Sequence, residues 1–502
     1  MESNQPIKNT SQHPAIIKAR EEHLPNVHIK GDFTLAVGGD IIQTNPISHL
    51  IDPAVRGILD VIRDSDVSFA NMESNFADFR NQQKHVGGLI GSKDVAKDVK
   101  SMGFDLVARA SNHSTGQGTE RMLKDNEYLQ EAGLIYAGTG INIEDARAPQ
   151  YLETPKGRVG LVAMVMSPTG RVSYQVSNSA AAGLEMASYQ AGNMNGLPGA
   201  NVLRATPNYI LNKEEFEVIK KLKESRDAYA AELLEQAGKH NTGGKGEAYS
   251  SSFKTIYGSP KNDDCLFFNY QFYMQGEERC GVSYQMNEDD LRLNLRSIRQ
   301  GKEWSDYMIA SIHSHDISST LSHLDFLHQK PSDFLVELAH LSIDNGADVF
   351  VVTGPHLLRG IEIYKGKPIF YSLASFIYQL WGTPAGPDRY TDNRVDSFYT
   401  ETTPVEFNMD MWPPLSITKH SDLKNMESME SLTAECKYED GQLKEIILHP
   451  IEFGYDAPIS QRGIPHVPSP EVAQRILARM QKLSEPFGTT ISMEGNVGVI
   501  RL

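Results

Sequence analysis

Short apolar runs alternate with segments of helical spacing in the first third of the chain. The strand-like runs are rich in β-branched residues and lie at 33–39, 66–71, 104–110 and 158–165. The segments with apolar residues three and four positions apart lie at 53–65, 92–103 and 119–133. The last two end in Gly103 and Gly133, as helices commonly do. This alternation predicts an α/β fold with a largely parallel or mixed sheet.

The same alternation resumes after residue 300. "YMIASIH" and "ADVFVV" have the pattern of strands and flank a helical segment at 331–346, and the stretch 360–373 predicts a hairpin with Gly366 in its turn. The stretch 443–454 predicts a further pair of strands. Ser469 as N-cap and Pro470 at the first helical position predict where the C-terminal helix begins.

The middle of the chain breaks this rhythm and predicts an insertion. A long charged helix is expected at 212–239, followed by a stretch rich in Gly, Ser and Lys and by the aromatic run "CLFFNYQFYM", which we interpret as buried core rather than a ligand platform. A helix at 287–304 leads back to the main sheet. The predicted organisation is a lead-in (1–30), a first core half (31–165), a partly helical cap (166–300) and a second core half ending in the C-terminal helix (301–502).

Composition limits the partners. The chain has 502 residues, and its net charge of −16 argues against nucleic acid or an anionic membrane as a partner, although a bound cation would still admit an anionic substrate. The spacings of Cys265, Cys280 and Cys436 fit neither a CxxC zinc site nor a disulfide framework, which favours a reducing compartment. There is no leader-like apolar segment at the N-terminus and no run long enough to span a membrane, so we expect a cytoplasmic protein.

Polar side chains recur where the strand-like runs end. They are Asp40, Asn71 with Glu73, Asn112 with His113, His313 with His315, and His356. Ligands bind beyond the carboxyl ends of the strands in open α/β sheets, so these side chains are expected to converge on one site. Residues two apart in a strand point the same way, which places His313 and His315 on one face with Asp316 beside them.

The donors in this set are nitrogen and oxygen without thiolate. Such a set suits Mn, Fe or Zn better than Mg or Ca, and two ions sharing one carboxylate would clamp an oxyanion and ionise a water. Each residue alone also has a structural interpretation: Asp40 in a turn, Asn112 as a cap for the helix near 119, or His356 as a structural residue beside a proline. The shared location at strand ends favours a functional site.

Five motifs occur in a fixed order: "GDI", "NMES", "GFDLVARASNHS", "SIHSHD" and "GADVFVVTGPHLLRGIEIYKGKPIFYSLASF". Over 31–165 and 290–500 the chain resembles the CapA family, named for capsular poly-γ-glutamate synthesis, within the calcineurin-like metallophosphoesterase superfamily. The resemblance implies a four-layer α/β/β/α sandwich with a site for one or two divalent ions.

The resemblance also implies roles for individual residues. Asp40 and His356 would bind one ion, Asn112 and His313 the second, and Glu73 would bridge them. His113 and His315 would be the catalytic residues, with His113 as the acid. Asn71, Asp316 and Thr353 would lie immediately around the ligands.

The chain departs from the family pattern at three positions. Thr353 stands where a histidine occurs, Gly116 where a carboxylate would orient His113, and Ser375 where an asparagine occurs. Ile42 stands where the wider superfamily has a histidine that CapA-like proteins commonly lack. These changes leave open a single ion, a different ion or an altered reaction.

Three functions fit the sequence. The first is hydrolysis of a phosphoester or related bond by metal hydroxide, on a small-molecule, peptide or polyglutamate substrate. The second is metal-dependent peptide tailoring of the epimerase type, in which a histidine pair exchanges an α-proton. The third is a non-catalytic protein of capsule biosynthesis. No organic cofactor is predicted, and the oligomeric state is left open.

Overall fold

A computed structural model describes residues 25–80, 89–167, 184–190, 195–238, 265–268, 271–276, 281–316, 329–379, 427–454 and 457–502. Most of the predicted lead-in and the Gly/Ser/Lys-rich stretch after residue 239 lie outside these ranges, as does Cys280. Within them, no helix has the length and apolar character needed to cross a membrane.

The elements of the first core half follow the predicted alternation. The strands are β1 Asp32–Ile42, β2 Val67–Met72, β3 Asn75–Ala77, β4 Ile90–Ser92, β5 Leu106–Ala108, β6 Ile135–Ala137, β7 Thr139–Gly140, β8 Gln150–Thr154 and β9 Gly157–Ser167. The helices are α1 Pro53–Asp64, α2 Asp94–Ser101, α3 Thr119–Glu131 and α4 Ile143–Arg147. The predicted helices at 53–65, 92–103 and 119–133 are therefore confirmed.

The middle and the second half add further strands and helices. The strands are β10 Gly199–Ala200, β11 Val202–Leu211, β12 Cys265–Phe268, β13 Gln271–Gln275, β14 Gly281–Met286, β15 Tyr307–His313, β16 Val349–Thr353, β17 Ile361–Tyr364, β18 Lys367–Phe370, β19 Ser375–Tyr378, β20 Glu430–Glu439, β21 Gln442–Glu452, β22 Ser492–Glu494 and β23 Val497–Arg501. The helices are α5 Lys213–Gly238, α6 Glu288–Glu303, α7 Asp333–Asp344 and α8 Pro470–Ser484, with 3-10 turns at Ile459–Gln461 and Glu485–Phe487.

Two large mixed sheets carry the fold, which confirms the α/β class. The first has the order β22-β23-β21-β20-β1-β2-β5-β6, with β19 also on β1. The second has the order β12-β13-β11-β9-β15-β16-β18-β17, with β14 on β11 and β8 on β9. The strands β1, β2, β5 and β6 are mutually parallel, as are β9, β15, β16 and β18. In each sheet, these central strands therefore end along one edge.

The faces of the sheets are apolar on both sides. Leu35 of β1 belongs to one cluster with Ile309 of β15, so the two sheets share a core. Other residues of β1 and β2 pack with α1, α2 and α3, and the opposite face of β15 packs with α6 and α7. Because β15 is buried on both faces, the imidazole at its end, His313, is buried as well.

One prediction is wrong. The stretch 443–454 is a single strand, β21, that continues through Pro450 and pairs with β20. Proline lacks an N–H and is tolerated where no second neighbour needs it. Strand β23 pairs with β21 only as far as Leu448, so Pro450 lies beyond that contact.

The described part of the middle segment extends the second sheet. Strand β11 pairs in parallel with β9 and antiparallel with β14. The long charged helix is confirmed as α5. In the aromatic run, Tyr273 is half-buried, and its ring centroid lies 5.9 Å from that of Tyr209. The side chains of most other aromatic residues in this run are outside the described part of the structure, so their predicted burial is not tested. The proposed domain boundaries remain a prediction.

Gly39 brings β1 against the turn before β19. A Cβ built there would lie 1.8 Å from the backbone oxygen of Ala374, which accepts a hydrogen bond from the N–H of Asp40. We expect Gly39→Ala to lower the free energy of unfolding by about 2 kcal/mol or more, since backbone has to move. Urea denaturation measures the loss. Gly38→Ala is the control, because its Cβ would meet only the Phe376 and Phe104 rings, the nearest at 3.3 Å, and should cost less. Equal losses would contradict this account.

Candidate metal centre

Strand register aligns the predicted residues in two rows. In the first sheet, Asp40 is opposite Asn71 of β2 and Ser375 of β19, and in the second sheet His313 is opposite Thr353 of β16. The β1–β2 and β1–β19 pairings shift register at Asp40. Irregular strand ends of this kind can re-aim a side chain toward a site. The strand ends of both sheets thus bring these side chains together.

The first donor group consists of Asp40, Glu73 and His313. One donor atom from each lies within 4.8 Å of the others, and all three side chains are buried. His313 Nδ1 is 3.4 Å from Asp40 Oδ1, and His313 Nε2 is 3.8 Å from Glu73 Oε1.

The second donor group consists of Glu73, His315 and His356, again within 4.8 Å of one another. His356 Nε2 is 3.8 Å from Glu73 Oε1, and its Nδ1 is 3.3 Å from Asp40 Oδ2. His356 follows Gly354 and Pro355 and has a left-handed backbone, with φ of 53°. That conformation is uncommon for a non-glycine residue and is found at functional sites. Glu73 is the member that the two groups share.

Asn112 and His113 complete the convergence. Asn112 Oδ1 lies 3.0 Å from His313 Nε2, which is itself 3.2 Å from His315 Nε2. His113 Nε2 is 3.7 Å from Glu73 Oε1, and 37% of the His113 side chain is exposed. Of the residues around the site, His113 is therefore one that a ligand from solvent can reach.

The surrounding residues orient the donors. Asn71 Nδ2 donates to Asp40 Oδ1 (2.8 Å) and lies 3.1 Å from His313 Nδ1, which is also 3.0 Å from Thr353 Oγ1. The N–H of Gly354 donates to Asp40 Oδ2 (2.9 Å). Ser375 Oγ lies 3.2 Å from His356 Nδ1. Thr353 and Ser375, two of the departures from the family pattern, therefore both contact a histidine of the cluster.

Asp316 belongs to neither donor group. Its carboxylate forms a fully buried ion pair with Arg359, with Oδ1 2.8 Å from Nη1. Its Oδ2 accepts hydrogen bonds from the N–H and the hydroxyl of Ser332. Asp316 thus anchors the chain directly after His315.

The pKa shifts of Asp40, His313 and His113 favour two neutral imidazoles near an ionised carboxylate. Burial raises the pKa of Asp40, but the contacts with His313 and His356 outweigh it and hold that pKa well below its usual range. Burial lowers the pKa of His313 to about 4 against the opposing effect of Asp40. Partial burial, His315 and His313 lower the pKa of His113 to about 3. Neutral imidazole is the form that binds a metal.

The donor set fits a divalent cation. Carboxylate oxygens, an amide oxygen and imidazole nitrogens lie 3.0–3.8 Å apart, and a cation would bring such atoms together favourably. Asn71 fixes Asp40 through its amide nitrogen, the kind of contact that orients metal ligands. The residues present therefore could hold one ion, or two that share Glu73.

Two buried residues were not anticipated from the sequence. Arg109 contacts the backbone on both sides of Glu73, and Arg359 pairs with Asp316. In the sequence, a buried role for Arg109 is indicated by its position as a single charged residue within the apolar run "LVARA".

Comparisons with known proteins identify the family of this chain. Residues 31–380 match the family model described as bacterial capsule synthesis protein PGA_cap. The chain belongs to this family. Relatives of PGA_cap type include the "PGA biosynthesis protein CapA" of Bacillus subtilis, which is 32% identical over 126 residues, covering 24% of this chain and 32% of that protein.

Longer matches extend beyond the PGA_cap region. "Uncharacterized protein y4sH" of Sinorhizobium fredii is 34% identical over 482 residues, covering 94% of this chain and 93% of that protein. A crystal structure of a hypothetical protein from Thermus thermophilus matches with a TM-score of 0.35 and 12% identity, over 84% of this chain and 99% of that chain. Membership of the family confirms the resemblance found in the sequence motifs.

Proposed function

We propose that this member of the PGA_cap family is a metal-dependent hydrolase that cleaves a phosphoester or related bond. The observation that carries the proposal is that Glu73 belongs to both donor groups. A carboxylate shared between two donor groups is the arrangement found where two cations act on one oxyanion. The three apolar clusters further support a four-layer α/β/β/α sandwich, in which helices cover the outer faces of both sheets.

The residues divide into ligands and a hydrogen-bond donor. Asp40, Glu73, His313 and His356, with Asn112, would hold one or two ions of Mn, Fe or Zn. His315, to which the family resemblance assigns a catalytic role, lies within the second donor group and would be a further ligand there. A divalent ion bound there would supply positive charge and lower the pKa of a water molecule. His113 lies at the accessible side of the cluster and is neutral near pH 7, so its ring N–H would donate a hydrogen bond to the oxygen that carries the developing negative charge.

The substrate class follows from charge and family. A protein with net charge −16 repels an anionic substrate unless a local cation reverses the field. The Bacillus relatives are named for PGA and capsule biosynthesis. We therefore propose a small anionic molecule or a peptide, including a polyglutamate chain, as the substrate, and no nucleic acid.

Metal-stripped protein reloaded with Mn, Fe or Zn tests the proposal. We expect p-nitrophenol release from bis(p-nitrophenyl) phosphate, or cleavage of poly-γ-glutamate, only after loading. His113→Ala should lower turnover by about 100-fold or more, because a positioned hydrogen bond to the developing negative charge contributes that much. His340→Ala is the control, since that imidazole stacks on Tyr364 and contacts Glu362 instead. Bound metal without cleavage of either substrate would contradict hydrolysis.

A specific contact favours a second candidate. His313 Nε2 and His315 Nε2 lie 3.2 Å apart, so a proton that His315 would take from the α-carbon of a peptide could pass to His313 and be replaced by a proton from solvent. Deuterium entering a peptide from D₂O would identify that reaction. If Asp40→Ala and His313→Ala leave capsule formation intact in cells, the third possibility, a non-catalytic role in capsule biosynthesis, is supported.

A further inference from the structure

Arg109 lies beneath the candidate metal centre and is completely buried. It comes directly after β5, two residues before the loop that carries Asn112 and His113. Its guanidinium is paired with the equally buried Asp125 of α3, with Nη2 3.0 Å from Oδ2. A buried arginine with one acid partner has further N–H groups that need acceptors.

Those N–H groups are directed at the loop that carries Glu73. Nη1 donates to the backbone oxygens of Met72 (3.1 Å) and Ser74 (3.3 Å), the residues on either side of Glu73. Nη2 also donates to the side-chain oxygen of Asn75 (2.5 Å). The guanidinium therefore fixes the backbone of Glu73 from both sides while leaving its carboxylate directed at the histidines.

Asn75 connects the same guanidinium to the second loop. Its amide nitrogen donates to the backbone oxygen of His113 (2.9 Å). The oxygen of Arg109 itself accepts a hydrogen bond from the hydroxyl of Ser114 (2.5 Å), which also accepts one from the N–H of Ser111 (2.7 Å). The guanidinium thus contacts the first loop directly and the second loop by way of Asn75, while the backbone oxygen of Arg109 adds a further contact with the second loop.

We propose that Arg109 is the positioning residue that sets the Glu73 loop and the Asn112–His113 loop relative to each other. A carboxylate at the position of Gly116 is not needed for this, because the loops are held through their backbone oxygens. The planar guanidinium of Arg109 donates hydrogen bonds to four acceptors, and a lysine ammonium cannot reproduce that geometry. This inference rests on the proposed metal site for its functional effect, but the coupling of the loops can be measured without metal.

The full chain, free of metal, provides the first test. We expect Arg109→Met to accelerate amide hydrogen exchange roughly tenfold or more in both 72–75 and 111–115, because local opening sets exchange there. Arg147→Met is the matched control, since Arg147 is also buried and lies beside the carboxylate of Asp290 (3.5 Å) away from these loops. Faster exchange in both loops only in the Arg109 variant supports the proposal. Equal acceleration across the chain in both variants, or no change in the loops, would overturn it.

Asn75→Asp tests the contact of Asn75 with His113 separately from the contacts of Arg109 with the Glu73 loop. It also provides a test if Arg109→Met does not fold. Aspartate keeps the acceptor for Arg109 but lacks the donor to His113. We expect faster exchange in 111–115 alone, while 72–75 stays as slow as in the unchanged protein. Acceleration in neither loop, or in both equally, would refute the relay through Asn75.

Metal affinity gives the functional readout. Mn²⁺ binding followed by electron paramagnetic resonance should weaken about 10- to 100-fold in Arg109→Met, with Arg109→Lys intermediate and Arg147→Met unchanged, because groups that orient ligands contribute that much. Unchanged affinity in Arg109→Met would overturn the positioning role. If the unchanged protein binds no Mn²⁺, Fe²⁺ or Zn²⁺, the proposed function fails, and the exchange experiment alone decides the role of Arg109.

Discussion

Glu73→Gln is expected to abolish high-affinity binding of metal at both donor groups. Glu73 is 1% exposed and is the member common to the group with Asp40 and His313 and the group with His315 and His356. Glutamine keeps the size of the side chain but removes the negative charge and one of the two lone-pair-bearing oxygens. Metal analysis after gel filtration should show the bound ions of the unchanged protein fall to near zero.

The effect of Glu73→Gln on stability is expected to depend on whether metal is bound. Without metal, the Asp40 and Glu73 carboxylates are buried within 4.8 Å of each other, where ionising both of them is costly. The metal-free variant should therefore unfold at the same or a higher temperature than the metal-free unchanged protein. With metal at 100 times its Kd, only the unchanged protein should gain about 2.7 kcal/mol.

Glu362→Gln is the matched control for this experiment. Glu362 also faces an imidazole, with Oε1 2.8 Å from His340 Nε2, and also accepts from the hydroxyl of Tyr371. It lies on β17, outside both donor groups. Metal content should remain at the level of the unchanged protein. Loss of metal in both variants, or in neither, would show that Glu73 is not the shared ligand.

Convergence of the site could be predicted because it depends on strand direction. Parallel strands that alternate with helices end along one edge, so polar residues following those strands meet there, as Asp40 and Asn71 do. The grouping of the donors could not be predicted, because it depends on side-chain directions past the strand ends. His356 reaches Glu73 from a left-handed backbone, and His315 lies two residues beyond the end of β15.

The missed parts of the fold have different physical origins. Strand β20 alternates polar and apolar residues, and its apolar side chains, Leu432, Ala434, Cys436 and Tyr438, belong to the core that the two sheets share, so a strand could have been predicted here. Pro450 looks like a break in the sequence but lies beyond the reach of β23. Arg109 has backbone partners 35 and 37 positions away, and no local pattern encodes such partners.

Removing Arg359 is expected to cause the largest loss of stability. Arg359 and Asp316 are both 0% exposed, with Nη1 2.8 Å from Oδ1. Breaking a buried pair from one side leaves an uncompensated charge, so Arg359→Met should lower the free energy of unfolding by about 3–5 kcal/mol in urea denaturation. Arg292→Met is the control, because Arg292 and Asp289 are largely exposed and such a pair contributes at most about 1 kcal/mol.

The double variant Arg359→Met with Asp316→Leu separates stability from function. An apolar pair of similar volume should recover much of the lost stability, because neither charge then remains buried alone. It does not restore the two hydrogen bonds from Ser332 that hold Asp316, the residue next to His315. We therefore expect a folded protein whose metal affinity stays below that of the unchanged protein. Recovery of both would show that the Asp316 carboxylate and its partners only support the fold, whereas recovery of stability alone would show that this carboxylate, held by Arg359 and Ser332, also places His315 at the metal centre.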